Sequence, residues 1–119
     1  MYQSLAANPN AVVWTMSLTG DITAISDSIQ AVRGFTPEEA RAQGGDEIHT
    51  AESLTFSLRY FEKFSKEMLA GQIPEPFHGE LEYKCKDGST IWCDVFVEPV
   101  TNPAGDVIEI AGVSTPISR

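Results

Sequence analysis

The last third of the chain contains two turn signals that divide it into three strand-like runs. The first is Lys-Asp-Gly-Ser at residues 86–89, and the second is Asn-Pro-Ala-Gly-Asp at residues 102–106. Asp-Gly suits a two-residue hairpin turn that needs positive φ, and the flanking residues 80–85 and 90–100 are rich in β-branched and aromatic side chains. The pattern predicts an antiparallel meander, and a chain that ends in this way has few compact folds open to it.

The first quarter of the chain predicts two more strands. Apolar residues alternate with smaller or polar ones over residues 12–18, which is typical of a half-buried strand. Gly20-Asp21 then turns the chain into a second short strand at residues 22–25.

Three helices are predicted between the two groups of strands. A short helix from Asp27 closes at Gly34, and a second begins at Thr36-Pro37 and stops at Gly44-Gly45. The third, at residues 51–70, has one apolar stripe formed by Leu54, Leu58, Phe61, Met68 and Leu69. The order predicts an α+β fold in which strands from both ends of the chain share one sheet.

The size and charge of the chain exclude several classes of protein. Its 119 residues fit one domain, and its formal net charge of −9 repels nucleic acid and anionic membrane surfaces. No apolar run approaches the roughly 20 residues that a membrane helix needs, and the polar N-terminus has no basic leader. We therefore expect a cytoplasmic domain that binds no nucleic acid and does not insert directly into a membrane.

The predicted hairpin register decides how the two cysteines and the sheet faces are interpreted. A two-residue turn places Cys85 opposite Thr90 and Cys93 opposite Glu82, so the thiols point to opposite faces and should stay reduced. The same register divides the apolar side chains into one face with Leu81, Tyr83, Trp92 and Phe96 and another with Ile91, Cys93, Val95 and Val97.

Because both predicted faces are apolar, each needs a cover. The helices can cover only one of them. The other requires either the N-terminal segment around Tyr2 and Leu5 or a second copy of the chain, and the sequence leaves both alternatives open.

Four segments together resemble the PAS domain, a sensory module with a five-stranded antiparallel sheet and helices packed on one face. They are Gly20-Asp21-Ile22, residues 34–40, residues 86–89 with Trp92, and residues 105–113. Two positions depart from the family pattern. Ser26 stands where members often carry Asn, and residues 115–118 replace the Asp-Ile-Thr signature with which many members end.

The resemblance implies a single domain over residues 1–119, excised from a longer bacterial-type signalling protein. We expect an N-terminal cap segment at 1–9, the first two strands at 10–26, a helical middle at 27–73 and the meander at 77–117. It also implies a ligand pocket between the sheet and the long helix. Plausible lining residues, for which plain core packing is the alternative, are Trp14, Met16, Ile25, Val32, Leu54, Leu58, Phe61, Val95 and Ile110.

The function that the resemblance implies is sensory. Such a module binds a small ligand or a protein partner, forms a homodimer, and relays a conformational signal to a downstream effector. The effector would be of the sensor histidine kinase type, as in two-component systems, or of the cyclic-dinucleotide regulator type. A PAS domain that acts purely in dimerisation, without ligand, is the alternative within the family.

Cofactor and metal chemistry find little support in the sequence. His49 and His78 have no further ligands at a spacing typical of zinc, and His49 lies in a loop, where an axial haem ligand is not expected. Nothing matches the Asn-Cys-Arg-Phe-Leu-Gln stretch of covalently reacting flavin photoreceptors, although a non-covalent flavin stays open. The identity of any ligand is therefore unknown.

Enzyme motifs are equally sparse. Gly-Gly-Asp-Glu-Ile at residues 44–48 is similar to the diguanylate cyclase signature, but its position between two helices favours a helix C-cap followed by an acidic loop. We expect no catalytic activity in this domain, while the parent protein could carry a kinase or cyclase. The alternative is a small isomerase-like α+β enzyme with a buried carboxylate base, for which Asp94 is the best candidate.

Overall fold

One antiparallel sheet of five strands forms the centre of the molecule. The computed structural model describes residues 9–118, and the strands are β1 Val12–Met16, β2 Ile22–Ile25, β3 Phe77–Lys84, β4 Thr90–Thr101 and β5 Val107–Pro116. Their order across the sheet is β2-β1-β5-β4-β3, and every neighbouring pair is antiparallel. The first and last strands are neighbours, which confirms the predicted α+β sheet shared by both ends of the chain.

Four helices connect β2 to β3: α1 Ile29–Arg33, α2 Pro37–Arg41, α3 Gly45–Ile48 and α4 Ala51–Leu69. The chain leaves α1 through Gly34, whose φ of 85° lies in the left-handed region. At the start of α2, Glu39 N–H donates to Thr36 Oγ1 and Thr36 N–H donates to Glu39 Oε1, the reciprocal pair of a capping box. None of the helices in residues 9–118 combines the length and apolarity needed to cross a membrane.

The segment Gly44-Gly45 differs from the prediction that it ends a helix. It begins α3, where Gly44 N–H donates to Glu47 Oε1 at 3.0 Å. Neither glycine is among those with positive φ. The acidic side chains of Asp46 and Glu47 suit the positive end of a helix, so they favour a helix start over a C-cap.

The hairpin between β3 and β4 is shifted by one residue from the predicted register. Lys84 pairs with Thr90 and Leu81 with Cys93, while Cys85 N–H donates to Ser89 O. The turn therefore contains three residues, 86–88, and Gly88 takes the left-handed position with φ of 90°.

This single-residue shift changes the composition of both faces, because side chains alternate along a strand. Leu81 and Tyr83 lie on the same face as Cys93, so the prediction that they belong to the capped or dimerising face is wrong. Trp92 and Phe96 do lie on that other face, which we call the outer face. It carries mostly polar side chains on this hairpin, namely His78, Glu80, Glu82, Lys84, Thr90 and Asp94.

Both cysteines are free, but the predicted reason was wrong. They lie on the same face of the hairpin, with Cys85 opposite Ser89 and Cys93 opposite Leu81. Four positions along the strand separate them. Cys93 is fully buried, and this burial raises the pKa of its thiol to about 12.

The helices pack on the face opposite the outer face. One cluster of buried side chains joins Phe64 of α4 to Leu81, Tyr83, Cys93, Val95, Val97 and Ile110 of the sheet. A second cluster joins Val12 to Ile29 and Ala40 of α1 and α2. The two clusters hold opposite ends of the helical layer on one sheet.

The buried face of α4 differs from the predicted apolar stripe. Ser53 and Phe64 are its buried residues, whereas Leu58 is 60% exposed and Leu69 is 86% exposed. The sequence predicts these leucines in the core because they share a helical spacing with Phe61. The helix is instead rotated so that a small residue, Ser53, contacts the sheet, where its Oγ accepts a hydrogen bond from Glu82 N–H at 2.7 Å.

The centre of the outer face is also closed to solvent. Val113 of β5 lies there beside Val13 and Phe96, and only 1% of its surface is exposed. The predicted covering residues Tyr2 and Leu5 lie outside the described part of the chain.

Candidate functional site

A cavity of about 90 Å³ lies between the two core clusters, under the helical layer. Strand residues and helix residues both contribute to its wall. Its apolar lining consists of Val12, Trp14, Met16, Ile22, Ile25, Ile29, Val32, Ala40, Ile48, Phe61, Leu81, Cys93 and Val95. Its polar lining consists of Arg33, His49, Ser57, Tyr83 and Ser114.

A β-bulge in β2 shapes one wall of the cavity. Trp14 pairs with Ile25, but Met16 pairs with Ile22, so Thr23 is an extra residue in the ladder. Ile22 and Ile25 are three positions apart and would lie on opposite faces of a regular strand. The bulge turns both of them to the cavity side.

A glycine allows the largest side chain of the wall to lie flat on the sheet. A Cβ atom built on Gly112 of β5 would overlap the indole ring of Trp14, which belongs to the neighbouring strand. The absence of a side chain at Gly112 therefore positions Trp14 against the cavity.

Three polar groups form a hydrogen-bonded triad across the sheet. Trp14 Nε1–H donates to Ser114 Oγ at 3.1 Å, and Tyr83 Oη shares a hydrogen bond with the same oxygen at 3.2 Å. Burial raises the pKa of Tyr83, so its hydroxyl stays protonated. The triad links β1, β3 and β5 at the wall of the cavity.

Arg33 is the charged residue of the wall, and only 5% of its surface is exposed. It is the last residue of α1. Its Nε–H donates to Lys84 O at 2.8 Å and its Nη2 donates to Gln43 Oε1 at 3.1 Å. Burial lowers the pKa of its guanidinium from the ordinary value.

His49 enters the wall from the junction between α3 and α4. Its backbone forms an isolated bridge with Tyr83, and the two rings are 5.2 Å apart. Burial first, and the nearby charge of Arg33 second, lower the pKa of His49 to about 4, so the ring is neutral at pH 7. Its Nδ1 is buried and has no hydrogen-bond partner among residues 9–118.

Ser26 joins strand β1 to the entry of α1. Its Oγ accepts from Val13 N–H at 2.9 Å and shares a hydrogen bond with Ser28 Oγ at 2.8 Å. Ser28 Oγ is also 2.7 Å from Ala11 O, to which it donates. Two serines thus join β1 to the start of α1.

Six of the nine pocket residues proposed from the sequence line this cavity: Trp14, Met16, Ile25, Val32, Phe61 and Val95. Three do not. Ile110 belongs to the packed core, Leu54 lies beside Gly45, and Leu58 is exposed. The last of these placements contradicts the prediction for Leu58, because α4 turns a different face to the sheet.

The polar wall of the cavity could not be located from the sequence. Arg33 in a last helical turn is explained by the negative end of the helix alone. The sequence predicts a loop at His49, and the predicted two-residue turn puts Tyr83 on the face opposite the cavity. The hydrogen bond from Arg33 to Lys84 O crosses 51 sequence positions, and no local pattern encodes it.

Asp94, the candidate base of the alternative enzyme, lies on the outer face. Its Oδ1 is 2.9 Å from His78 Nε2. No Asp or Glu within residues 9–118 lines the cavity, and Asp94 cannot act there. The same residues contain no cluster of three or more His, Cys, Asp or Glu side chains that could hold a metal ion.

Solved structures with similar folds include three domains. The PAS domain of a Colwellia psychrerythraea protein has a TM-score of 0.71 at 19% identity, with 97% of this chain and 94% of that one covered. A light-oxygen-voltage domain studied with a flavin analogue has a TM-score of 0.71 at 20% identity, with 98% and 84% covered. A domain from a Haloarcula marismortui histidine kinase, described as light and redox sensing, has a TM-score of 0.69 at 17% identity, with 98% and 97% covered.

These likenesses concern the fold, since all three identities are low. A search of curated proteins gave no match. The family model described as the PAS fold matches residues 22–114, which include the cavity wall from Ile22 to Ser114. On that match, covering most of the sequence, the chain belongs to the PAS family of sensory domains.

Proposed function

We propose that this PAS domain binds a small molecule in the cavity and relays its presence through β5 to an effector domain of the parent protein. The observation that carries the proposal is the triad of Trp14, Tyr83 and Ser114. All three members line the cavity, Trp14 on β1, Tyr83 on β3 and Ser114 on β5. A ligand that contacts Trp14 or Tyr83 therefore acts on the last strand.

The relay needs two conformations with different ligand affinities. In one, the triad is intact and β5 keeps its register with β1. In the other, a ligand that competes for the Tyr83 hydroxyl or displaces the indole of Trp14 frees Ser114. The equilibrium between these states is what the effector would sense.

The test is a fragment titration followed by two-dimensional amide NMR spectroscopy. Small neutral and anionic fragments should shift the Trp14 indole N–H signal and the amide signals of residues 110–114 with one common saturation curve. If the fragments saturate the shift of the Trp14 signal while the amide signals of β5 stay unchanged, the proposed relay through β5 is wrong.

A cavity-filling variant provides the matched control for this test. Ser57→Leu adds a larger side chain to the cavity wall, whereas Ser65→Leu makes the same change at an exposed position of α4. Binding should be lost in the first variant and kept in the second. Equal binding in both variants would show that the fragments occupy another site.

We further propose an effector of the sensor histidine kinase or cyclic-dinucleotide regulator type. The support is an analogy of fold, since one similar domain comes from a histidine kinase. Replacing the sensor domain of a well-behaved histidine kinase with this chain should give ligand-dependent autophosphorylation. A chimera whose activity is indifferent to every cavity ligand would contradict it.

A homodimer through the outer face completes the proposal. Trp92 and Phe96 are half-buried aromatic residues on that face, beside the His78–Asp94 pair. Phe96→Ser should shift sedimentation from dimer to monomer, whereas Phe56→Ser, at a 48% exposed position of α4, should not. A monomer mass at every concentration of the unsubstituted chain would exclude the dimer.

A further inference from the structure

The positive charge in the cavity wall forms no ion pair with any residue of the described range 9–118. Only 5% of the surface of Arg33 is exposed, yet Arg33 belongs to none of the four ion pairs formed within residues 9–118. Burial has the largest influence on its pKa, and the side chains that also act on it are Cys85, Tyr83 and Cys93, with no carboxylate among them. A buried charge without a counter-charge is costly, so this position favours an anion.

The hydrogen bonds of Arg33 leave part of its guanidinium unused. Nε and Nη2 donate to two neutral oxygens, Lys84 O and Gln43 Oε1. A guanidinium has five N–H donors, and these two bonds use two of them. Its carbon lies 4.9 Å from the centre of the Phe35 ring, which together with the two bonds holds the group in place. A fixed fork with free donors suits a carboxylate.

His49 supplies a second polar atom at the same wall. Its ring stands 5.2 Å from that of Tyr83, and Arg33 lies 5.8 Å from the centre of the same Tyr83 ring. The buried Nδ1 of His49 has no partner within residues 9–118, and in a neutral imidazole this atom can carry the proton. It can therefore donate a hydrogen bond to an anion held by Arg33.

From this geometry we infer that the ligand is a small monocarboxylate, bound through Arg33 and His49, with its carbon chain against Trp14, Met16 and Val95. The inference rests on the proposed function of the cavity. One cation in the wall matches one negative charge. The volume of about 90 Å³ is smaller than the cavity of about 150 Å³ known to hold benzene, so we expect a short aliphatic chain to bind more tightly than an aromatic ring.

The experiment compares propionate with its neutral isostere propionamide, using the Trp14 indole N–H and the Arg33 Nε–H as NMR reporters. Propionate should bind at least roughly tenfold more tightly than propionamide, since hydrogen bonds to a charged partner are the stronger ones. Succinate, with two carboxylates, tests whether the site accepts only one negative charge. Benzoate tests whether the site excludes an aromatic ring. Inorganic phosphate tests whether any small anion binds. Each of the three should bind more weakly than propionate.

Two arginine variants locate the anion site. Arg33→Gln should lose the preference for propionate over propionamide, and Arg41→Gln, which makes the same change at an exposed position of α2, should keep it. Arg33→Lys retains the charge and should retain part of the preference. If Arg33→Gln does not fold, the comparison of propionate with propionamide in the unsubstituted chain still decides the matter.

The outcomes separate this inference from the function on which it rests. Equal binding of propionate and propionamide would overturn the carboxylate inference and leave a ligand-binding cavity. Tighter binding of phosphate than propionate would overturn it as well. If neither propionate nor any neutral fragment shifts the Trp14 signal, both the inference and the proposed ligand-binding function are wrong.

Discussion

The two faces of the sheet differ in how their charged and titratable side chains are paired. On the outer face they pair with one another, as His78 does with Asp94 at 2.9 Å and Thr90 with Glu82 at 2.7 Å. On the helix-covered face, Arg33 has no ion pair and His49 Nδ1 has no partner within residues 9–118. Paired groups on an exposed surface need no ligand. Unpaired groups in a cavity are costly unless something binds there, and the proposed anion site rests on this difference.

The largest expected effect is a loss of stability. It shows whether the helix-covered face and the outer face of the sheet are packed equally well. Phe64→Ala removes a 3% exposed side chain from the helix-covered face and should lower the free energy of unfolding by about 3–5 kcal/mol. Phe96→Ala, at a half-buried position of the outer face, should cost clearly less. Urea unfolding of both variants is the measurement. Equal losses would mean that the outer face is a second core.

Gly112→Ala tests how closely Trp14 packs on the sheet. The added methyl group overlaps the indole, so the ring must move, and we expect a loss of about 1–3 kcal/mol in unfolding free energy. The same substitution in a Trp14→Leu background should cost less, because the two residues are coupled. If the two substitutions lower the unfolding free energy additively, the Trp14 indole is not the reason that position 112 requires glycine.

The buried ring of His49 makes the stability of the domain depend on pH. The pKa of His49 is about 4 in the folded state against 6.5 ordinarily, so the unfolded chain binds more protons between these values. The contribution of neutral His49 to the unfolding free energy is complete above pH 6.5 and is lost as the pH falls towards 4. The unfolding free energy should fall by at most about 1.4 kcal/mol per pH unit on this account.

Urea unfolding at a series of pH values, with His49→Gln as comparison, isolates this contribution from that of the carboxylates. The unfolding free energy of the unsubstituted chain should fall relative to that of His49→Gln as the pH decreases from 6.5 towards 4. Parallel curves from pH 7 down would contradict a buried neutral His49.

The smallest expected effect concerns the triad. Tyr83→Phe removes the hydroxyl that bonds to Ser114 while Trp14 keeps its own bond to that oxygen, so we expect a loss of about 0.5–1.5 kcal/mol. Tyr60→Phe, whose hydroxyl donates to Glu75 O at an exposed position, should cost less. If Tyr60→Phe proves the more costly change, the triad contributes little to the coupling of the strands.

Much of the architecture was predictable because its signals are local. β2 was predicted with its observed limits, Ile22–Ile25, and the capping box at Thr36 and the left-handed Gly34 were recognisable within a few residues. The helix α3 was missed, since two glycines are as compatible with a helix end as with a helix start. The apolar part of the cavity was partly foreseen, because six strand and helix positions with regular spacing line it.

The sequence by itself determined the five strands and three of the four helices between β2 and β3, and that both ends of the chain share one sheet. Only the tertiary structure decided the register of the β3–β4 hairpin, the rotation of α4 and the meeting of Arg33, His49 and Tyr83. The physical reason is distance along the chain. Turns and caps depend on neighbours within a few residues, whereas a three-residue turn in place of a two-residue one reverses a whole strand's faces. The bonds that hold the cavity wall join residues 51 and 100 positions apart.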